Sequence, residues 1–299
     1  QRITRQIPTK TAMEIHQILQ IKGESMRGQI VKIVSNNYTV EANHTSYVCK
    51  ARGRFRKEKK TPLVGDYVLF DEKNNYILEI EKRKNALVRP MVANIDQAFL
   101  VTSLKEPDLS LNLLDKLLVV MEVNKIKPII CLTKQDKCNK EEWENDQKIM
   151  HYYKNLGYVV LLNTELAQIK DFIRGKTSVF TGQTGAGKST LLNHLDTTLH
   201  LQTGEISMAL NRGRHTTRHV ELLEMYGGKV LDTPGFSSLE FKNMTQEEIM
   251  NAFVEFKRYP CIYKDCNHID EKECKVKEAV RKNQILASRY ENYKKIVGR

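Results

Sequence analysis

Gly182-Gln183-Thr184-Gly185-Ala186-Gly187-Lys188-Ser189-Thr190 satisfies the phosphate-loop pattern G-x-x-x-x-G-K-[ST], and it begins past the middle of a 299-residue chain. A β-prone run, Thr177 to Thr181, precedes it and a helical pattern (Leu191, Leu192, Leu195) follows. That strand-loop-helix setting is what the motif requires. Glycines let the backbone approach phosphate oxygens, so that successive N–H groups and the helix N-terminus face the anion. On this reading Lys188 reaches the β- and γ-phosphates and the Ser189 hydroxyl ligates Mg2+.

Further elements complete a guanine-nucleotide site. Thr133-Lys134-Gln135-Asp136 closes a buried-strand pattern, Lys127 to Leu132. The Asp136 carboxylate can accept from guanine N1–H and the 2-amino group, a donor pair adenine lacks, while the Lys134 stem packs over the purine. The usual form of this element begins with Asn. Thr133 keeps a hydroxyl but lacks the amide that braces the phosphate loop, so guanine selectivity is expected to survive with a weaker brace. Asp232-Thr233-Pro234-Gly235 follows the strand Gly228 to Leu231 as a D-x-x-G element. Asp232 would hold Mg2+, directly or through water, and the Gly235 N–H would sense the γ-phosphate. In Gly213-Arg214-His215-Thr216-Thr217, Thr217 is expected to complete the Mg2+ shell. His215 either orients or deprotonates the attacking water or is an ordinary surface residue. The catalytic reading is open because Phe236 stands where many GTPases carry a glutamine. Leu162-Asn163-Thr164 falls where a last base-contacting loop belongs.

The order along the chain is base-reading loop, phosphate loop, switches, whereas ordinary GTPases start with the phosphate loop. Circular permutation reconciles the two, because domain termini lie close together. It also makes the segment after Asp232 lead straight into the C-terminal region, a route by which loss of the γ-phosphate could be transmitted. Strands at Gln97 to Ser103, Lys127 to Leu132 and Tyr158 to Leu162 alternate with helices, one carrying Leu114, Leu117, Leu118 and Met121 at i, i+3, i+4, i+7. That alternation predicts a parallel sheet with ligand loops at the carboxyl ends of its strands.

Ahead of this region, five short runs from Gly28 to Ile80, separated by turn residues, predict a small oligonucleotide-binding-like (OB-like) β-barrel. A basic loop, Lys50 to Lys60, interrupts it, and is either a solvated charge run or a phosphate-tracking RNA surface with Phe55 as stacking platform. Near the other end, Cys261-x4-Cys266-x-His268-x5-Cys274 offers three thiolates and an imidazole, the donor set of one closed structural zinc site. Clustered ligands among six cysteines, in place of a disulfide framework, predict a reducing cytosol. The basic stretch beyond (Lys272, Lys275, Lys277, Arg281, Lys282, Arg289, Lys294, Lys295) is either a solvated face or an RNA contact. A net charge of +12 fits a polyanionic partner. The apolar run Leu117 to Met121 is too short to span a bilayer, and no export signal is expected. The expected divisions are 1–25, an N-terminal extension without assigned role; 26–84, the OB-like β-barrel; 85–240, the circularly permuted α/β P-loop GTPase domain; and 241–299, a helical zinc-binding domain.

Taken in this order, T-K-Q-D, G-Q-T-G-A-G-K-S-T, G-R-H-T-T, D-T-P-G-F and C-x4-C-x-H-x5-C behind a barrel carrying R-G-R-F-R resemble one family over roughly residues 28–299. It is the circularly permuted ribosome small-subunit-dependent GTPase A family of bacteria. The resemblance implies a GTPase binding GTP/GDP, Mg2+ and one structural Zn2+. It further implies hydrolysis stimulated by the 30S ribosomal subunit late in its maturation, with contacts to 16S rRNA. A cytoplasmic monomer with no membrane partner is the matching expectation. The charge pattern also allows a GTP-regulated factor for another RNA or the large subunit, or a binding module with little intrinsic catalysis.

Overall fold

The computed structural model describes residues 25–53, 55, 58, 60–88, 90–199, 220–232, 241 and 243–298, divided into two compact units between Arg83 and Lys84. His215, Thr217, Gly235, Phe236 and most of the N-terminal extension lie outside the described residues, and Asp232 is described through its backbone alone.

In the first unit, β1 (Ser25–Val34), β2 (Asn37–Ala42), β3 (Thr45–Ala51), β4 (Tyr67–Asp71) and β5 (Tyr76–Ile80) close on themselves. β1 pairs antiparallel with β2 and with β4, β2 with β3, β3 parallel with β5, and β5 antiparallel with β4. A register shift between Ile30 and Lys32 falls where β1 moves from one partner to the other, as a bulge does when it bends a strand. Inward positions at period two fill the barrel with Ile30, Val40, Cys49, Val68, Phe70 and Ile77. Phe55 joins them at 4% exposure. The basic loop therefore does not present Phe55 for stacking: its ring is spent on the core. Arg83 makes a two-pronged contact with the buried Asp66 at 2.7 and 2.8 Å, so the barrel holds the chain up to the point of division.

The second unit opens with a short hairpin, β6 (Ala86–Leu87) and β7 (Val92–Ala93). Its core is β8 (Gln97–Ser103), α1 (Leu111–Val123), β9 (Lys127–Thr133), α2 (Lys140–Asn155), β10 (Val159–Leu162), α3 (Leu166–Ile173), β11 (Thr177–Gly182), α4 (Lys188–Leu195), β12 (Val220–Met225) and β13 (Gly228–Asp232). Strand order is β10-β9-β8-β11-β13-β12. All neighbours are parallel except β12, which runs against β13. Every residue of β8 is buried, as expected of a central strand covered on both faces. Phe99 of β8 stacks on Phe180 of β11, ring centroids 4.4 Å apart. The chain winds outward from β8 through β9 to β10 and then returns to β11 on the other side of β8. That reversal is the switch point at which such sheets bind ligands.

Among the described residues, three further α-helices follow β13: α5 (Gln246–Ala252), α6 (Lys275–Arg281) and α7 (Ala287–Val297). A capping box starts α5, with Thr245 accepting from the Glu248 N–H and Glu248 from the Thr245 N–H. α7 is anchored by a fully buried ion network. Arg289 donates through Nε and Nη2 to Glu255, both at 2.8 Å, and through Nη1 to Asp115 of α1 at 2.7 Å. The hydroxyl of Tyr153, on α2, and the Asn292 amide complete the shell of Asp115, each at 2.6 Å. Arg289, grouped by sequence with RNA-facing cations, is 0% exposed and cannot serve that role. Lys277 is likewise occupied, donating to the Ile269 and Glu271 carbonyls at 3.0 Å.

Candidate guanine-nucleotide site and metal cluster

The phosphate loop leaves β11 at Gly182 and enters α4 at Lys188. A Cβ built on Gly182 would lie 1.9 Å from the Val101 carbonyl oxygen, so only glycine lets the loop start flush against β8. Gly187 sits at φ +85°, in the left-handed region, and leads into the helix without a side-chain cap. No side-chain cap therefore competes with an anionic ligand at the start of α4. Gln183 Oε1 is buried and has no partner among the described residues. Thr184, Gly185 and Thr190 are exposed, Lys188 and Ser189 half-buried, and Ala186 buried beneath the loop.

The base-reading element leaves β9, on the far side of β8. Thr133 is 2% exposed, and its hydroxyl donates to the Ala186 carbonyl at 2.6 Å. In place of the missing amide, the hydroxyl ties the two loops directly. Lys134 adopts φ +59° and starts a single turn, Gln135–Lys137, that leaves Asp136 exposed. Asn163 follows β10, its N–H donating to the Leu132 carbonyl at 2.8 Å, which sets that loop beside the end of β9. β13 brings the Asp232 backbone beside Phe180 of β11.

Sequence reasoning left the loop after β8 unassigned. Its Glu106 accepts from Lys134 through the carbonyl and from Lys137 through the carboxylate. The available signal was position: Lys105 to Ser110 directly follows the carboxyl end of a fully buried strand.

Circular order, loop placement and the five-stranded barrel can now be set against known proteins. The RsgA GTPase family model matches residues 80–242, and the RsgA N-terminal domain model matches 27–77. The chain belongs to the RsgA GTPase family. It is 48% identical over 278 residues to the small ribosomal subunit biogenesis GTPase RsgA of Latilactobacillus sakei, covering 89% of this chain and 93% of that one. The crystal structure of YjeQ from Thermotoga maritima superposes with a TM-score of 0.79 at 36% identity, over 92% of this chain and 98% of the other. That of YloQ, a circularly permuted GTPase, gives 0.75 at 39%, over 92% and 94%. Hydrolysis of GTP is accordingly the activity of this RsgA-family chain, and the family implies a guanine nucleotide and Mg2+.

The C-terminal cluster also assembles. Ligand atoms of Cys261, Cys266, His268 and Cys274 all lie within 4.8 Å of one another. His268 Nδ1 is 3.5, 3.3 and 3.4 Å from the sulfurs of Cys261, Cys266 and Cys274, and Cys261 Sγ is 3.7 Å from Cys274 Sγ. A tetrahedral zinc with Zn–S of about 2.3 Å and Zn–N of about 2.0 Å has ligand edges of about 3.5–3.8 Å, so the donor set fits that ion. Burial lowers the pKa of His268, favouring the neutral imidazole a metal needs, and pushes the Cys266 thiol up to about 12. Backbone N–H groups of Lys275 and Lys277 point at the Cys261 and Cys274 sulfurs, at 3.3 and 3.5 Å. Tyr290 and Tyr293 hold the loop from behind, donating to the His268 and Asn267 carbonyls at 2.7 and 2.6 Å. Among the described residues no helix is long and apolar enough to cross a membrane.

Proposed function

We propose that this GTPase acts in maturation of the 30S ribosomal subunit, contacting 16S rRNA, as a cytoplasmic monomer. The observation that carries the nucleotide part is the Thr133–Ala186 hydrogen bond, which fixes the base-reading and phosphate loops as one site on either side of β8. The partner is supported by likeness to the small ribosomal subunit biogenesis GTPase RsgA of Latilactobacillus sakei, and by the net charge of +12.

Asp136 reads the guanine edge and the Lys134 stem covers the base. The loop Gly182 to Thr190 wraps the phosphates, and Lys188 with the loop amides stabilises charge spreading onto the γ-phosphate oxygens. Ser189, Thr217 and Asp232 would hold Mg2+, which when bound would supply positive charge against the phosphates. His215 orients the attacking water, and Gly235 senses the γ-phosphate. Cys261, Cys266, His268 and Cys274 would hold one Zn2+, which when bound would serve folding. The divisions 26–84, 85–240 and 241–299 are the matching functional parts.

Turnover of GTP measured alone, with 30S and with 50S particles tests this reading. Stimulation by 30S only is expected. Equal rates in all three sink the coupling, and stimulation by 50S only assigns the chain to the large subunit.

A further inference from the structure

The strand order β9-β8-β11 places a third loop between the two that define the nucleotide site. This is the segment after β8, from Leu104 to Ser110. Its start is tied to the base-reading element, the Leu104 N–H donating to the Thr133 carbonyl at 3.1 Å. Its end caps α1, with Ser110 accepting from the Leu113 N–H. Between these anchors, Glu106 takes φ +53°, in the left-handed region. It meets the cations of the base-reading loop, Lys134 on its carbonyl and Lys137 on its carboxylate. The neighbouring Pro107 faces the phosphate loop, its Cδ 3.6 Å from a Cβ built on Gly185.

We propose that Glu106 is a positioning residue of the guanine-nucleotide site, setting Lys134 and Lys137 so that the base-reading turn is in place before nucleotide arrives. The inference rests on the site reading above. Two lysines flanking Asp136 and left unrestrained would draw its carboxylate away from the base or sample many rotamers. The Glu106 carboxylate holds Lys137 and attracts the Lys134 ammonium, which also donates to the Glu106 carbonyl, so the Lys134 stem keeps a single direction over the purine position. The contribution is preorganisation, so it belongs to binding and not to the chemical step.

Steady-state GTP turnover and GDP dissociation constants test this on the full chain, with thermal midpoints as a check on folding. Glu106→Gln removes the charge and keeps the shape. It should raise KM for GTP and Kd for GDP about 3–5-fold with kcat unchanged, the scale of one exposed ion pair. Glu106→Lys repels both lysines and should weaken binding about tenfold, while adding Lys137→Glu should recover most of that loss. If Glu106→Gln leaves KM and Kd at their wild-type values, or if the swapped pair binds no better than Glu106→Lys alone, the positioning role is wrong. If Glu106→Lys fails to fold, the Glu106→Gln result decides alone. A wild type that binds ADP as tightly as GDP overturns the underlying site reading instead, whatever Glu106 does.

Discussion

The Thr133 hydroxyl donates to the Ala186 carbonyl at 2.6 Å, joining the proposed base-reading loop after β9 to the proposed phosphate loop after β11. Both atoms are buried, so the bond is made at little competition from water. Thr133→Val keeps the volume and deletes the donor, leaving the Ala186 carbonyl unpaired at a cost of about 1–3 kcal/mol. GDP affinity measured by titration should fall by tenfold or so on that scale (about 1.4 kcal/mol per decade), whereas Thr133→Asn, which restores a donor, should bind close to wild type. Unchanged affinity in Thr133→Val would show that the loops need no such tie.

Arg289→Met should be among the most damaging single changes in the second unit. It strands Asp115 and Glu255 as buried carboxylates, and breaking such a pair costs about 3–5 kcal/mol. Denaturant unfolding should show that loss. Replacing all three charged groups by apolar residues of similar volume should recover most of it, because the uncompensated charge, more than the missing bond, is what destabilises. A triple variant as weak as Arg289→Met contradicts this account.

Zinc removal should act locally. Metal analysis is expected to find one zinc per chain, falling to none on Cys274→Ser. The chelated protein should lose protease resistance first around residues 261–274, where the metal ligands cluster and the remaining ties are a few hydrogen bonds, from Tyr290, Tyr293, Lys277 and backbone N–H groups among them. Intact protection after verified loss of metal would remove the folding role.

A pH effect follows from Glu278 on α6. Hydrogen bonds from Lys282 at 2.7 Å and Lys275 at 2.9 Å lower its pKa from 4.5 to about 2. The folded value is depressed, so the stabilisation is present above the unfolded value of about 4.5 and is lost as pH falls towards 2. Wild type and Glu278→Gln should therefore differ in stability at pH 6 and converge at the acid end. A gap that stays constant across that window rules the linkage out.

Much of this arrangement was legible from residues alone. The β8, β9 and β11 strands read as short apolar runs because both their faces are covered, and Asp136 and Lys188 follow strands as their chemistry demands. What escaped depends on partners distant in sequence. Arg289 reads as one more surface cation until Asp115 and Glu255 are brought around it. Phe55 reads as an aromatic in a basic loop, although the barrel interior claims it. Helix α2 passed unnoticed because it buries only Tyr153 and its start is marked by nothing more than the Asn139–Glu142 capping box. Hydrophobic period reports that a face is covered, not what covers it.

The buried Arg289 network also limits how this protein can be taken apart. Asp115 lies in the first third of the second unit and Arg289 near its end, so α7 is stitched into the nucleotide-binding fold it follows. Deleting the C-terminal helices would therefore not trim a removable module; it would open a charged wound in the body that binds GTP. Shuffling by recombination, which swaps parts joined end to end, has no clean seam here, and the segment carrying the Cys3His cluster and the nucleotide fold are bound to be inherited together.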